Sequence, residues 1–252
     1  MRIALFDSGY GGLTVLSHAR RVLPSEEFIF YADRDHVPYG TKSVPAVRGF
    51  VRTAFRFLIE QQRADAVVVA CNTATSVAVD EMRRLYDVPI IGMEPAVKKA
   101  LTRDGEHRVL VTATPITVHG EKLKRLISSC DPNGLVDLLA LPQLVEFAER
   151  QEFVSSAVEA YLRDAFAPYH FANYSAIVLG CTHFTHLADI MQKAAGENVS
   201  VVDSRDGVAR RAIEVHDNLI NSKKESENIF TAAADFLSDV PDESFFVTGV
   251  SD

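Results

Sequence analysis

Val67-Val68-Val69-Ala70-Cys71-Asn72-Thr73 and, 110 residues later with the cysteines aligned, Ile177-Val178-Leu179-Gly180-Cys181-Thr182-His183 decide how this chain is read. Each is an unbroken apolar run, too short to cross a membrane, that ends in a cysteine followed by polar residues typical of helix caps. Strands that bury both faces look like this, and such strands belong to parallel sheets. A second echo, at an offset of 106, pairs Arg2-Ile3-Ala4-Leu5-Phe6-Asp7-Ser8 with Arg108-Val109-Leu110-Val111-Thr112-Ala113-Thr114. Two echoes at nearly equal offset predict two related halves, not a short-period solenoid.

Working outward, residues 3–6, 28–31, 66–70, 89–91, 109–111, 135–141, 176–179 and 199–202 read as strands. Helical spacing lies between them: Val51, Phe55 and Leu58 share a face, as do Val208, Ala212, Val215 and Leu219. The alternation predicts an α/β fold with right-handed crossovers and reactive residues at the carboxyl ends of strands. The mixed charges of Asn221–Asn228 read as a solvated loop.

Composition narrows the function. The 252 residues carry 26 basic and 34 acidic side chains, a formal charge of −8, with 47% hydrophobic and 24% charged residues. That is a globular balance, and the negative charge argues against a general nucleic-acid binder. No apolar stretch reaches the roughly 18 residues of a membrane span, and Asp7 interrupts any signal-peptide core. Three cysteines, Cys71, Cys130 and Cys181, cannot all pair, which points to a reducing cytoplasm.

Cys71 and Cys181 are the first chemical candidates. A thiol at a helix N-terminus feels the positive end of the dipole, which favours the thiolate over its free pKa of about 8.5. A neighbouring imidazole, here His183, can take the thiol proton. Either cysteine can equally be a small core residue; Cys130 has no such setting and reads as structural. Asp7-Ser8-Gly9-Tyr10-Gly11-Gly12-Leu13-Thr14 lacks the sixth-position glycine of a dinucleotide loop and the Gly-Lys-Ser/Thr of a phosphate loop. It remains a glycine turn offering N–H groups to an anion such as a carboxylate, or a plain capped turn. Pro38-Tyr39-Gly40 marks a turn in which Tyr39 by itself reads as a packed aromatic. Thr112, Thr114 and Thr117 offer hydroxyls for capping or for a carboxylate. Cys181, His183 and His186 lack an evident fourth ligand, so no metal site is expected.

Taken together, Asp7–Gly12, Pro38-Tyr39-Gly40-Thr41-Lys42, Ala70-Cys71-Asn72-Thr73-Ala74 and Leu179-Gly180-Cys181-Thr182-His183-Phe184 resemble the signature blocks of glutamate racemase, in the aspartate/glutamate racemase superfamily. The likeness runs in order from residue 4 to about 205, with a trace at Thr248-Gly249. It implies two pseudo-symmetric α/β domains with largely parallel sheets, 1–93 plus 206–252 and 94–205, with the active site in the cleft between them. It implies a cytoplasmic homodimeric isomerase that interconverts L- and D-glutamate without cofactor or metal, binds neither nucleic acid nor membrane, and supplies D-glutamate for peptidoglycan. By the same resemblance Cys71 works on the D-enantiomer and Cys181 on the L-enantiomer. Asp7 assists the first thiol and His183 the second. Ser8, Tyr39, Gly40, Asn72, Thr73, Thr114, Thr117 and Thr182 bind substrate, and Pro38 and Glu149 stand behind them.

Thr185-His186 replaces the family's usual Pro-Leu, Gly120 a frequent Ser and Leu123 a frequent Tyr, and the chain stops at Asp252, where relatives commonly add a helix. These departures bear on side-chain specificity, the dimer surface and C-terminal packing. The alternatives are a racemase of aspartate or another amino acid, a cysteine-nucleophile hydrolase or thiol redox protein, and a silent binder of acidic ligands.

Overall fold

The computed structural model describes residues 1–102 and 106–238, with backbone alone for 223–238. Among the described residues, eight strands form two four-stranded sheets: β1 (Arg2–Asp7), β2 (Glu27–Ala32), β3 (Ala66–Val69) and β4 (Ile90–Gly92), then β5 (Arg108–Ala113), β6 (Val136–Ala140), β7 (Tyr174–Gly180) and β8 (Ser200–Val202). Their orders, β2-β1-β3-β4 and β6-β5-β7-β8, are the same topology written twice, and every pairing is parallel. Equivalent strands begin at residues 2 and 108, 27 and 136, 66 and 174, and 90 and 200. The repeat suggested by two echoes therefore extends to all four strands.

The helices are α1 (Leu13–Val22), α2 (Val44–Phe55), α3 (Asn72–Leu85), α4 (Val97–Leu101), α5 (Pro115–His119), α6 (Glu121–Cys130), α7 (Pro142–Glu149), α8 (Ser156–Phe166), α9 (Ala188–Ala195) and α10 (Arg205–Ser238). Their starts follow local chemistry. The Ser43 hydroxyl accepts from Ala46 N ahead of α2 and that of Ser155 from Val158 N ahead of α8, and prolines open α5 and α7. The two sheets have their own cores: Phe6, Val51, Phe55, Leu58 and Val67 pack in the first half, Leu110, Leu144, Leu162, Ile177 and Phe184 in the second. The unbroken runs 67–69 and 177–179 are buried throughout because helices cover both faces.

Two expectations are corrected. Residues 221–228 continue helix α10 instead of forming a loop. Lys, Glu and Ser carry little helix penalty, and the stretch contains no Gly or Pro, so its polarity by itself does not break a helix. Thr112 lies inside β5, where its hydroxyl donates to Val178 O at 3.1 Å, so it caps nothing and is closed to a ligand. Residues Met1–Ala212, which contain both sheets, make one compact unit; a second begins at Ile213, and its described part is helical to Ser238. The Thr248-Gly249 block and the last part of the expected 206–252 segment lie outside the described residues. Among the described residues, no helix is long and apolar enough to cross a membrane.

Candidate active site

The candidate residues come from the carboxyl ends of parallel strands in both sheets, where strand ends leave loops and helix N-termini free to converge. Asp7 ends β1, the turn with Tyr39 and Gly40 follows β2, and Cys71 comes two residues after β3. In the other half Thr114 follows β5, Glu149 ends the helix after β6, and Cys181 follows β7 directly.

The two halves meet through these residues. Asp7 is fully buried and binds to both sides: Ser8 N donates to its Oδ1 (2.7 Å) and the Thr182 hydroxyl to its Oδ2 (2.9 Å). Ser8 in turn lies 3.5 Å from Cys71 Sγ. The Thr73 and Thr114 hydroxyls bond across the seam at 2.8 Å, and Thr114 donates to Thr117 at 3.1 Å. Cys181 Sγ is 3.8 Å from His183 Nδ1, and His183 Nε2 is 2.6 Å from Glu149 Oε1. Asp7, Ser8, Asn72, Thr73, Thr114, Thr117, Thr182 and His183 are all buried although polar, a concentration that ordinary cores avoid. A cavity of about 570 Å³ lies along the same seam, lined by Gly40, Lys42 and Arg48 from one half and Pro115, His119 and Glu121 from the other.

Glycines permit the close approach. A Cβ on Gly9 would sit 2.1 Å from Glu149 Oε1, and one on Gly11 2.8 Å from His183 N. One on Gly40 would meet Thr114 Cβ at 2.4 Å. The glycine turn does present an N–H to a carboxylate, but to the chain's own: Tyr10 N donates to Glu149 Oε1 at 3.4 Å.

The electrostatics correct the expectation of a dipole-activated thiol. Cys71 is the N-cap of α3 and accepts from Ala74 N at 3.4 Å, as a helix-start thiol should. Yet burial first, and then the Asp7 carboxylate, push it up to about 12, so these outweigh the helix end. Burial also raises Asp7, against the opposing pull of His183 and of its hydrogen-bond donors. Cys181 opens a 3-10 turn, Thr182–Leu187, not an α-helix. Its partner is charge: burial opposes protonation of His183, but the Cys181 sulfur and the carboxylates of Glu149 and Asp7 prevail and push the imidazole up to about 10. Burial would raise Glu149, and the bond to His183 overcomes it, so its carboxyl is held down.

Tyr39 is buried, and its hydroxyl donates to Asp33 Oδ2 at 2.5 Å. Burial first, then Asp33, raises it. Pro38 precedes it in the turn after β2. Asn72 donates to Met93 O at 2.9 Å, while its Oδ1 is buried without a partner among the described residues; an acceptor left this way costs about 1–3 kcal/mol unless something donates to it. Cys130 sits apart, its thiol donating to Leu126 O at 3.1 Å. Both His183 ring nitrogens are engaged, by Cys181 and Glu149. Sequence reasoning passed over Asp33 and the Tyr10 side chain. The first had a legible signal, an acid directly after a strand; the second had none.

A family model for Asp/Glu/Hydantoin racemase matches residues 13–212. The glutamate racemase of Campylobacter curvus is 50% identical over 242 residues, covering 93% of this chain and 91% of that protein. Glutamate racemase 2 of Bacillus subtilis is 45% identical over 217 residues, covering 85% and 82%. Among solved structures, Escherichia coli glutamate racemase in complex with L-glutamate and the activator UDP-MurNAc-ala superposes with a TM-score of 0.77 at 30% identity, over 85% of this chain and 81% of that one. The doubled sheet topology and these matches agree: the chain belongs to the Asp/Glu/hydantoin racemase family of isomerases, within its glutamate racemases.

Proposed function

We propose that the chain interconverts L- and D-glutamate through two opposed thiols, Cys71 and Cys181, without a cofactor. The observation that carries the reading is the pseudo-symmetric delivery of one buried cysteine from each sheet. Asp7 links their surroundings through Ser8 on one side and Thr182 on the other.

In the L-to-D direction the Cys181 sulfur takes the α-proton. The Cα–H bond breaks, an S–H bond forms, and the electron pair passes into Cα and its carboxylate. Cys71 then gives its thiol proton to the opposite face. The remaining Cys71 thiolate and Cys181 thiol are the starting state for the reverse direction. The electrostatics suit this division. At pH 7 Cys71 holds its proton, and His183 is an imidazolium beside Cys181, supplying the counter-charge a thiolate needs. His183 assists proton movement at Cys181 and Asp7 at Cys71. The α-proton is weakly acidic, so buried donors must bear the developing carboxylate charge. Thr117 accepts from Thr114 and keeps its own hydroxyl proton for substrate, Ser8, Thr73, Thr114 and Thr182 would turn theirs from their present partners to it, Gly40 offers its backbone, and the free Asn72 Oδ1 suits an ammonium. The division into lobes of 1–93 and 94–205, a homodimeric assembly, action in the cytoplasm and the supply of D-glutamate to cell-wall synthesis belong to the same proposal.

The test is circular dichroism of pure protein with L-glutamate alone: the signal decays to zero, and in D2O either enantiomer gains α-deuterium. A stable signal with no exchange, from folded protein, overturns the reading. Decay with aspartate but not glutamate would move the substrate, not the mechanism.

A further inference from the structure

Tyr10 sits in the middle of the glycine turn of the first half, yet its side chain is spent on the second. Its hydroxyl donates to Ala148 O, and its backbone N–H reaches Glu149 Oε1 at 3.4 Å. Its ring meets the His183 ring edge-on, with centroids 5.7 Å apart and planes at 73°, and that of His186 at 5.2 Å. Phe153 stacks against His186 at 5.4 Å and 24°. These rings form a wall behind His183. His186 Nε2 is buried without a partner among the described residues. Burial, the charge of His183 and Arg205 all favour its neutral form, against Glu149 alone. His186 joins the wall through its ring contacts with Tyr10 and Phe153.

Bonds at both nitrogens resist rotation of an imidazole, but hydrogen bonds tolerate tens of degrees of misalignment, so a ring packed against it adds to what fixes its plane. The ring of Tyr10 lies against His183, and its two polar groups hold the end of α7 that carries Glu149. We infer that Tyr10 is a positioning residue that keeps the His183–Glu149 pair aligned on Cys181, so that proton transfer at that thiol depends on it more than transfer at Cys71. The inference rests on the two-thiol reading for its kinetic consequence, but not for its geometry.

Enantiomers are equal in free energy, so kcat/KM must stay equal in the two directions in any variant. The asymmetry appears instead in isotope effects. In Tyr10→Ala, kcat/KM falls about 100-fold, as expected for an ångström of misplacement. The α-deuterium effect grows with L-glutamate and shrinks with D-glutamate, because transfer at Cys181 becomes the slower step. Tyr10→Phe keeps the ring, loses one hydrogen bond, and stays within about tenfold. The His183 ring, followed by NMR in labelled protein, titrates lower in Tyr10→Ala than in the unaltered chain. The charged groups facing it in that titration are Cys181, Glu149 and Asp7, with His186 on its own turn and Arg205 beyond. Tyr10→Leu, which fills more of the volume, carries the same measurements if the alanine variant does not fold. Isotope effects that move equally in both directions, or not at all, with an unshifted His183 titration, overturn the inference. If the unaltered protein does not racemise, the two-thiol reading has failed. The His183 titration then decides the positioning role alone.

Discussion

Replacing Gly9 by alanine puts a methyl group 2.1 Å from Glu149 Oε1 and 2.7 Å from His183 Nε2. Ordinary contact for such atoms is about 3.5 Å, so the carboxylate must withdraw by about 1.4 Å. A free glutamate tip would do so cheaply. This one is tied to His183 at 2.6 Å and to Tyr10 N at 3.4 Å, and the His183 side chain is 2% exposed. The strain therefore falls on the pair beside Cys181. Overpacking of this kind costs about 1–3 kcal/mol, or roughly 2–12 °C in Tm at this chain length. Loss of alignment by an ångström costs about 100-fold in rate. The measurement is kcat/KM from the decay of circular dichroism, with a thermal melt on the same sample. Gly49→Ala is the control: nothing lies within 4 Å of its Cβ, and it sits inside α2. It gains about 0.5–1 kcal/mol and leaves the rate unchanged. If Gly9→Ala keeps more than half the rate and the same Tm, the claim that glycine is there for the His183–Glu149 pair is wrong.

Cys71→Ser and Cys181→Ser each lower racemisation by about 1000-fold or more, within the range of a lost acid–base group, while Cys130→Ser does not, and the same dichroism assay separates them. Glu149→Gln keeps the shape but removes the charge, so His183, now at about 10, titrates closer to the ordinary imidazole value of about 6.5; NMR of the ring reads the shift. The sign for stability follows: a pKa raised on folding stabilises fully below about 6.5 and loses that contribution as pH rises through about 10. Melts across that window should show the loss in the unaltered chain and a loss at lower pH in Glu149→Gln. Leu144→Ala, in the fully buried core of the second half, costs about 2–5 kcal/mol, measured by urea unfolding.

What the sequence determined by itself was the part of the structure that is local in cause. Runs such as Val67–Val69 and Ile177–Leu179 exclude polar residues because both faces are covered, and that mark survives without knowing what covers them. The echoes at offsets 106 and 110 carried the two halves, and strand-end cysteines carried the thiols. Beyond the reach of any local pattern lay everything that sums over distant neighbours. The helix start at Cys71 argued for an easily ionised thiol, yet burial and Asp7, 64 residues back, reverse the sign. His183 is charged against its own burial by Cys181 beside it and by Glu149, 34 residues earlier, and Tyr10 meets it across the seam. Residues 221–228 looked like a loop because polarity reports solvent, and a helix satisfies its own backbone whichever way its side chains face. Periodicity is written along the chain; a protonation state is written by whatever folding brings within a few ångströms.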